Sequence, residues 1–407
     1  MNVRISPSTR IRLALGLSLL CLLGDCSVSN SVNMIRQKLN QPADFQELYG
    51  NTPQRLDGET LPADSWRGLR LVGWTFRDVS MERTRFDHVL FEKCTLSEVV
   101  MDRAEFKNCQ FKDCLIERIA IHGGSWKGNR FEGGRIVDLS QGPNPRDNSP
   151  LEWVDDTFQS VEIAGWSGDE HPVTWTRPVF LKSTLHQSDL SAFQMVSPRF
   201  EDCQFSENTW NEPSGGEIED GQFLHCSFRS NRLLHASWDA HIADSRFAEP
   251  QGTPRATSAE NLEIEGSHGP VHLHGARQVK ITGTASSASL EETSDLELDD
   301  VQGYGISLQG NSDRVHLKKA KVEDLTFYSG HFQDCVFQNL ETVALSFWDA
   351  EFERCRFENI LVSQKLSFFA SPRFQQCSFA NVRLSPAAKL DDPDGHAPTP
   401  LPWSIPR

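Results

Sequence analysis

Apolar residues recur every five positions along the first third of the chain. Stepping from Leu71 gives Phe76, Met81, Phe86, Phe91, Leu96, Met101, Phe106, Phe111, Ile116, Ile121, Trp126, Phe131 and Ile136, fourteen apolar positions without a break. At 38% hydrophobic content, chance would produce such a run roughly once in a million trials. A helix repeats every 3.6 residues and a strand every 2, so neither generates this step. Two residues before each centre stand mostly small or β-branched side chains, among them Val79, Thr84, Val89, Cys94, Val99, Ala104, Cys109 and Cys114. These too can point inward. Between them lie charges of both signs, as in Arg77-Asp78 and Glu92-Lys93.

A central Leu or Phe with a small residue two before it resembles the pentapeptide-repeat family over 69–138. The resemblance implies an all-β fold, a right-handed parallel β-helix (solenoid) of quadrilateral coils, four pentapeptides or 20 residues to the turn. The same step returns downstream at Phe223, Phe228, Leu233 and Trp238, and again at Phe327, Phe332 and Phe337, then Phe347, Phe352 and Phe357. SPRFEDCQF (197–205) and SPRFQQCSF (371–379) are near copies, an internal repeat. The 20-residue offset predicts Phe332 under Phe352 and Phe337 under Phe357. Over 258–325 the step is lost, but alternating apolar pairs remain, such as Leu262/Ile264, Val279/Ile281 and Leu296/Leu298. Each reads as the two inward residues of a short strand. They suggest a less regular β-helix middle with longer faces, with an antiparallel sandwich as the other arrangement open to such strands.

The expected organisation is a signal peptide with lipobox (1–26), an N-terminal linker and cap (27–68), the pentapeptide β-helix (69–138), an irregular excursion (139–197), continued β-helix (198–384) and a Pro-rich tail (385–407). The helix candidate is 31–50, which could cover the open backbone edge of the first coil. The excursion is suggested by Pro143, Pro145, Pro150, Pro172 and Pro178 with Trp153, Trp166 and Trp175. Those three tryptophans are the candidate binding residues, because interface anchors are often Trp; plugging the loop onto the helix is the other use for them.

Charge and termini narrow the function. Arg4, Arg10 and Arg12 precede the apolar run Leu13–Gly24, too short to span a bilayer comfortably and suited to an export signal. LLGDC resembles a bacterial lipobox and marks Cys26 as the expected lipidation site; Ser27-Val28-Ser29 offers ordinary cleavage instead. The formal charge of −16 argues against nucleic-acid partners and anionic lipid surfaces. Phe is abundant, 25 against 3 Tyr, as in a core that wants rings without hydroxyls to satisfy.

Candidate chemistry is sparse. Eight cysteines beyond the signal all sit two before a centre, which suggests core filler rather than disulfides. Cys94/Cys114 and Cys335/Cys355 should stack as reduced pairs. His272 and His274 share an outer face, as do Glu297 and Asp299 in the acidic run 290–300, and all four suggest solvated surface. No zinc-type cysteine spacing, GxSxG, HExxH, P-loop or Gly-His-Gly occurs. Neither a metal nor another cofactor is expected. The reading that follows is a non-enzymatic exported envelope protein, periplasmic or lipid-anchored, that binds a protein partner through a rigid acidic β-helix. One concrete version is an immunity protein against a periplasmic toxin such as a lipase. The alternative is a carbohydrate-active or carbohydrate-binding parallel β-helix protein.

Overall fold

The computed structural model describes residues 55–61, 63, 65–143, 150–168, 173–210, 217–233, 237–253, 255–283, 286–392, 395 and 397. The helix candidate at 31–50, the apolar run and Cys26 lie outside them. The described residues form strands and turns without a helix. Two compact units divide at Glu152/Trp153.

In the first unit the five-residue step becomes a three-residue strand and a two-residue corner. Thr75–Arg77, Arg85–Asp87, Leu90–Glu92 and Glu105–Lys107 each bury the middle residue and turn its neighbours outward. All pairings are parallel. Leu71, Phe91, Phe111 and Phe131 lie in one column, and Trp66, Phe86, Phe106 and Trp126 in the next. Every step is 20 residues, so four pentapeptides close one coil. Phe91 and Phe111 stack with centroids 4.7 Å apart, Phe111 and Phe131 at 4.6 Å, close to the spacing of neighbouring strands.

Each corner holds one residue in the left-handed region. Asp78, Arg83, His88, Lys93, Glu98, Arg103, Asn108, Asp113 and Arg118 have φ of 51–57°, the positive sign that a type II turn requires at its third position. Left-handed backbone costs a non-glycine residue about 1–2 kcal/mol. The corner amides offset this by bonding the coil above, as Arg83 N–H does to Asp102 O at 2.8 Å and Lys93 N–H to Lys112 O at 2.8 Å. The coil also begins earlier than 69. Arg55–Asp57 and Ser65–Arg67 pair with the second coil, and Trp66 is buried. The linker expected at 27–68 is corrected to that extent.

The second unit is again a parallel β-helix. One inward column runs Ile163, Leu185, Phe205, Phe228, Phe247, Ile264, Ile281, Leu298, Leu317, Phe337, Phe357, Phe379. Coil lengths read from it range from 23 residues (Phe205 to Phe228) to 17 (Phe247 to Ile264, Ile281 and Leu298). Seventeen is no multiple of five, which is why the ruler fails in the middle. The longer faces expected there are corrected to shorter coils in which strands run on through the corners, as Arg255–Glu265 does. Parallel pairing throughout sets the sandwich arrangement aside. Phe332 lies under Phe352 and Phe337 under Phe357, both with centroids at 5.0 Å.

From Phe205 to Phe379, volume is traded between adjacent inward columns. Where the centre is Phe (205, 228, 337, 357, 379), the residue two before it is Cys (203, 226, 335, 355, 377). Where the centre is Ile or Leu (264, 281, 298, 317), the partner grows to Leu262, Val279, Leu296 or Val315. A dense core leaves no slack, so a large ring demands a small companion.

Two further expectations are overturned. The excursion at 139–197 is coil: Leu151–Val154, Thr157–Gln159, Glu162–Ala164, Val173–Thr176, Val179–Leu181 and Thr184–His186 are strands. The Pro-rich tail at 385–407 begins as structure, because Lys389–Asp391 pairs in parallel with Lys365–Ser367.

Candidate functional site

Function has to lie on the outer surfaces, because the inward positions are filled by packing. Trp153, Trp166 and Trp175 are core residues, each no more than 2% exposed. Trp175 stacks on Trp153 at 4.7 Å and meets Trp166 edge to face at 4.8 Å. Their place as binding anchors is corrected: rings packed into one another have no face left for a partner.

The eight described cysteines are free thiols. Cys94 and Cys114 stack as expected, and so do Cys335 and Cys355. The structure adds Cys203 with Cys226, and Cys377 on Cys355, at 23- and 22-residue offsets that a fixed 20-residue rule misses. Each thiol donates to backbone carbonyls, Cys94 Sγ to Leu71 O at 3.2 Å and Cys355 Sγ to Phe332 O at 3.1 Å. The hydrogen bond with Cys335, together with burial, pushes Cys355 up to about 12. Cys377 is raised by Cys355 and by burial. Such thiols are poor nucleophiles.

Outward side chains form charged ladders. Arg177 forks onto Asp155 at 2.7 and 3.0 Å, and Arg354 onto Asp334 at 2.8 and 2.9 Å. Arg314 does the same with Asp295. These guanidinium bonds hold Asp155, Asp295 and Asp334 below the ordinary carboxylate range. Glu297 and Asp299 share an outer face as expected, each beside a lysine: Glu297 accepts from Lys318 at 2.9 Å, and Asp299 lies 3.6 Å from Lys319. His272 and His274 both point outward, and His274 faces Glu291 at 3.4 Å. Among the described residues no group of three or more His, Cys, Asp or Glu is placed to hold a metal ion.

The acidity is concentrated. Residues 201–300 carry 19 acidic and 6 basic side chains; the other 307 residues carry 37 and 34. Nearly all the net charge therefore belongs to one stretch of the second unit. A shallow cleft of about 260 Å³ opens on the outer surface beside it, lined by Arg277, Glu292, Ser294, Asn311, Asp313 and His331 among others. Mixed charge and small hydroxyls give it hydrogen-bonding capacity without a preferred sign.

No protein-family model matches the chain, and no curated protein matches it either. Solved structures do. HetL, a pentapeptide repeat protein involved in heterocyst differentiation regulation from the cyanobacterium Nostoc sp. strain PCC 7120, is 12% identical. That match covers 64% of this chain and 94% of HetL, with a TM-score of 0.37. Trypsin-treated QnrB1, a plasmid-mediated fluoroquinolone resistance protein, is 12% identical over 47% of this chain and 82% of its own, at 0.22. The A-module of the Azotobacter vinelandii mannuronan C-5 epimerase AlgE6 is 10% identical over 86% and 93%, at 0.18.

Proposed function

With the pentapeptide-repeat β-helix as the family fold of this chain, we propose that it is a non-enzymatic binding protein of the bacterial envelope. It presents rigid outer faces to a protein partner. The observation that carries this reading is the division of labour along each strand. Inward positions are packed, while outward side chains sit on strands spaced about 4.8 Å apart and are held by ion pairs such as Asp334–Arg354. A surface ordered before binding loses little entropy on association. The acid excess over 201–300 favours a basic partner and fast, salt-sensitive encounter.

Export and anchoring belong to the same proposal. The arginines at 4, 10 and 12 and the apolar run after them supply the signal, and Cys26 carries the lipid. Placed in the periplasm, the protein neutralises an incoming toxin, for which a lipase is the concrete candidate. Two experiments test this. Metabolic labelling with a fatty-acid analogue should mark the parent and leave Cys26→Ser unlabelled; label in neither removes the anchor. Cells that carry the gene should survive a lipase toxin directed to the periplasm. Equal killing with and without it, across a panel of such toxins, refutes the immunity role.

A further inference from the structure

Among the described residues most aromatic rings are buried. Eight of the nine described tryptophans are buried, and the ninth, Trp348, is 38% exposed. Both described tyrosines are exposed as well, Tyr304 at 69% and Tyr328 at 45%. All three lie on or beside one outer sheet surface of the second unit. Tyr328, Trp348 and Phe369 follow one another on successive coils, with ring centroids 5.9 and 3.8 Å apart. Two residues back along the same strands runs a column of hydroxyls, Ser289, Ser307, Thr326 and Ser346, which ends at the buried Ser367. Tyr304 stands across that column, next to Gly305. The centre of this face carries no charge.

Its margin does. Glu323, Asp324 and Asp349 are exposed at the edge, and none has a basic partner among the described residues. By contrast, Asp295, Asp334, Glu297 and Glu341 are each matched to an Arg or Lys. An uncharged centre with Tyr and Trp inside a ring of unmatched charge is the anatomy of an interface core and rim. Coil and strand spacings give the centre roughly 15–20 Å by 13 Å, on the order of 250 Å². A folded partner covers about 800 Å² per side, so a single extended segment fills this face.

We propose that this face binds a short basic peptide segment of a partner protein, with an apolar residue seated against Tyr328 and Trp348 and Lys or Arg beside Glu323, Asp324 and Asp349. The proposal rests on the protein-binding reading above and gives it a location. The test is selection of phage-displayed random dodecapeptides on the full chain, followed by affinity measurement of the enriched peptides at two salt concentrations. Enriched peptides should combine Lys or Arg with an aromatic or large aliphatic residue. Trp348→Ala and Tyr328→Ala should each weaken them at least tenfold. The triple variant Glu323→Gln, Asp324→Asn, Asp349→Asn should weaken them and flatten the salt dependence. Arg118→Ala, in the first unit, should change nothing. The altered side chains are exposed, so melting temperatures should stay near the parent's; the charge variant tests the face even if an aromatic variant fails to fold. Peptides that bind all variants alike overturn this face while leaving the protein-binding reading intact. Retention of neutral glucans by the parent, lost in Trp348→Ala, overturns it in favour of a sugar. No enriched peptide at all overturns both the face and the partner class.

Discussion

Because the inward columns trade volume, a paired substitution should be tolerated where each single one is not. Cys335 and Phe337 are 1% and 0% exposed. The coil beneath holds Val315 and Leu317 at the same two places. Phe337→Leu removes a ring that stacks on Phe357 at 5.0 Å and meets Phe327 edge to face at 4.9 Å. Each aromatic contact contributes about 0.5–1.5 kcal/mol beyond burial, so a cost of about 2–3 kcal/mol is expected. Cys335→Val inserts an extra methyl into a filled layer, costing about 1–3 kcal/mol. It also removes the thiol donor 3.3 Å from Gln333 O. Summed without coupling, the double variant would lose about 3–6 kcal/mol. Since it copies the neighbouring coil, the valine methyl should enter space the ring vacates and recover at least about 1 kcal/mol, within the range seen for touching residues. Urea unfolding followed by tryptophan fluorescence, read with hydrogen exchange of strand Val336–Glu353, measures the cycle. Strict additivity would sink the volume argument. So would a single Cys335→Val as stable as the parent.

Gln141 occupies the column of Met101 and Ile121, fully buried with both amide atoms unpartnered; Gln141→Met should raise stability by about 1–3 kcal/mol, and a lower melting temperature would show that the amide is satisfied. At Gly124 (φ 99°) a Cβ would lie 2.3 Å from Ala104 O, so Gly124→Ala should cost about 2 kcal/mol or more, read as a lower denaturation midpoint. Thiol titration of the native protein should find, of the eight described cysteines, at most Cys377, which alone among them is not fully buried, and all eight after unfolding without reductant; fewer would mean disulfides. Asp155, Asp295 and Asp334 have folded values below the unfolded value of about 3.9. Their contribution is complete above that value and lost as pH falls through the folded values, so Asp334→Asn should narrow the stability gap between pH 7 and pH 3; an unchanged gap refutes the pairing.

Much of the architecture could be read before any coordinates, because a five-residue step has no competing explanation. The coil at 139–197 also carries the signal. Trp175, Phe180, Leu185, Leu190, Met195, Phe200, Phe205 and Trp210 keep the step and are all buried. Prolines usually mark loops, yet Pro178 and Pro198 occupy the inward place two before Phe180 and Phe200, where their carbonyls still accept from the next coil. The 17-residue coils could not be read from spacing, since leaving out three corner residues destroys the ruler and keeps the fold. The exposed aromatic face was hidden for a related reason. Ser307, Thr326 and Ser346 become neighbours only when coils of 19 and 20 residues are stacked in register, and sequence distance alone does not supply that register.

Unequal coils have a mechanical consequence. Pulled from its C-terminal end, the second unit would lose strands one at a time, because each coil holds mainly to its immediate neighbours. A released coil of 17 to 23 residues pays out about 55–80 Å of extended chain. A force–extension trace would therefore show steps whose lengths repeat the coil lengths in order, wide at either end and narrow between Phe247 and Leu298. The spacing irregularities that blur the ruler along the sequence would reappear there as a readable length code.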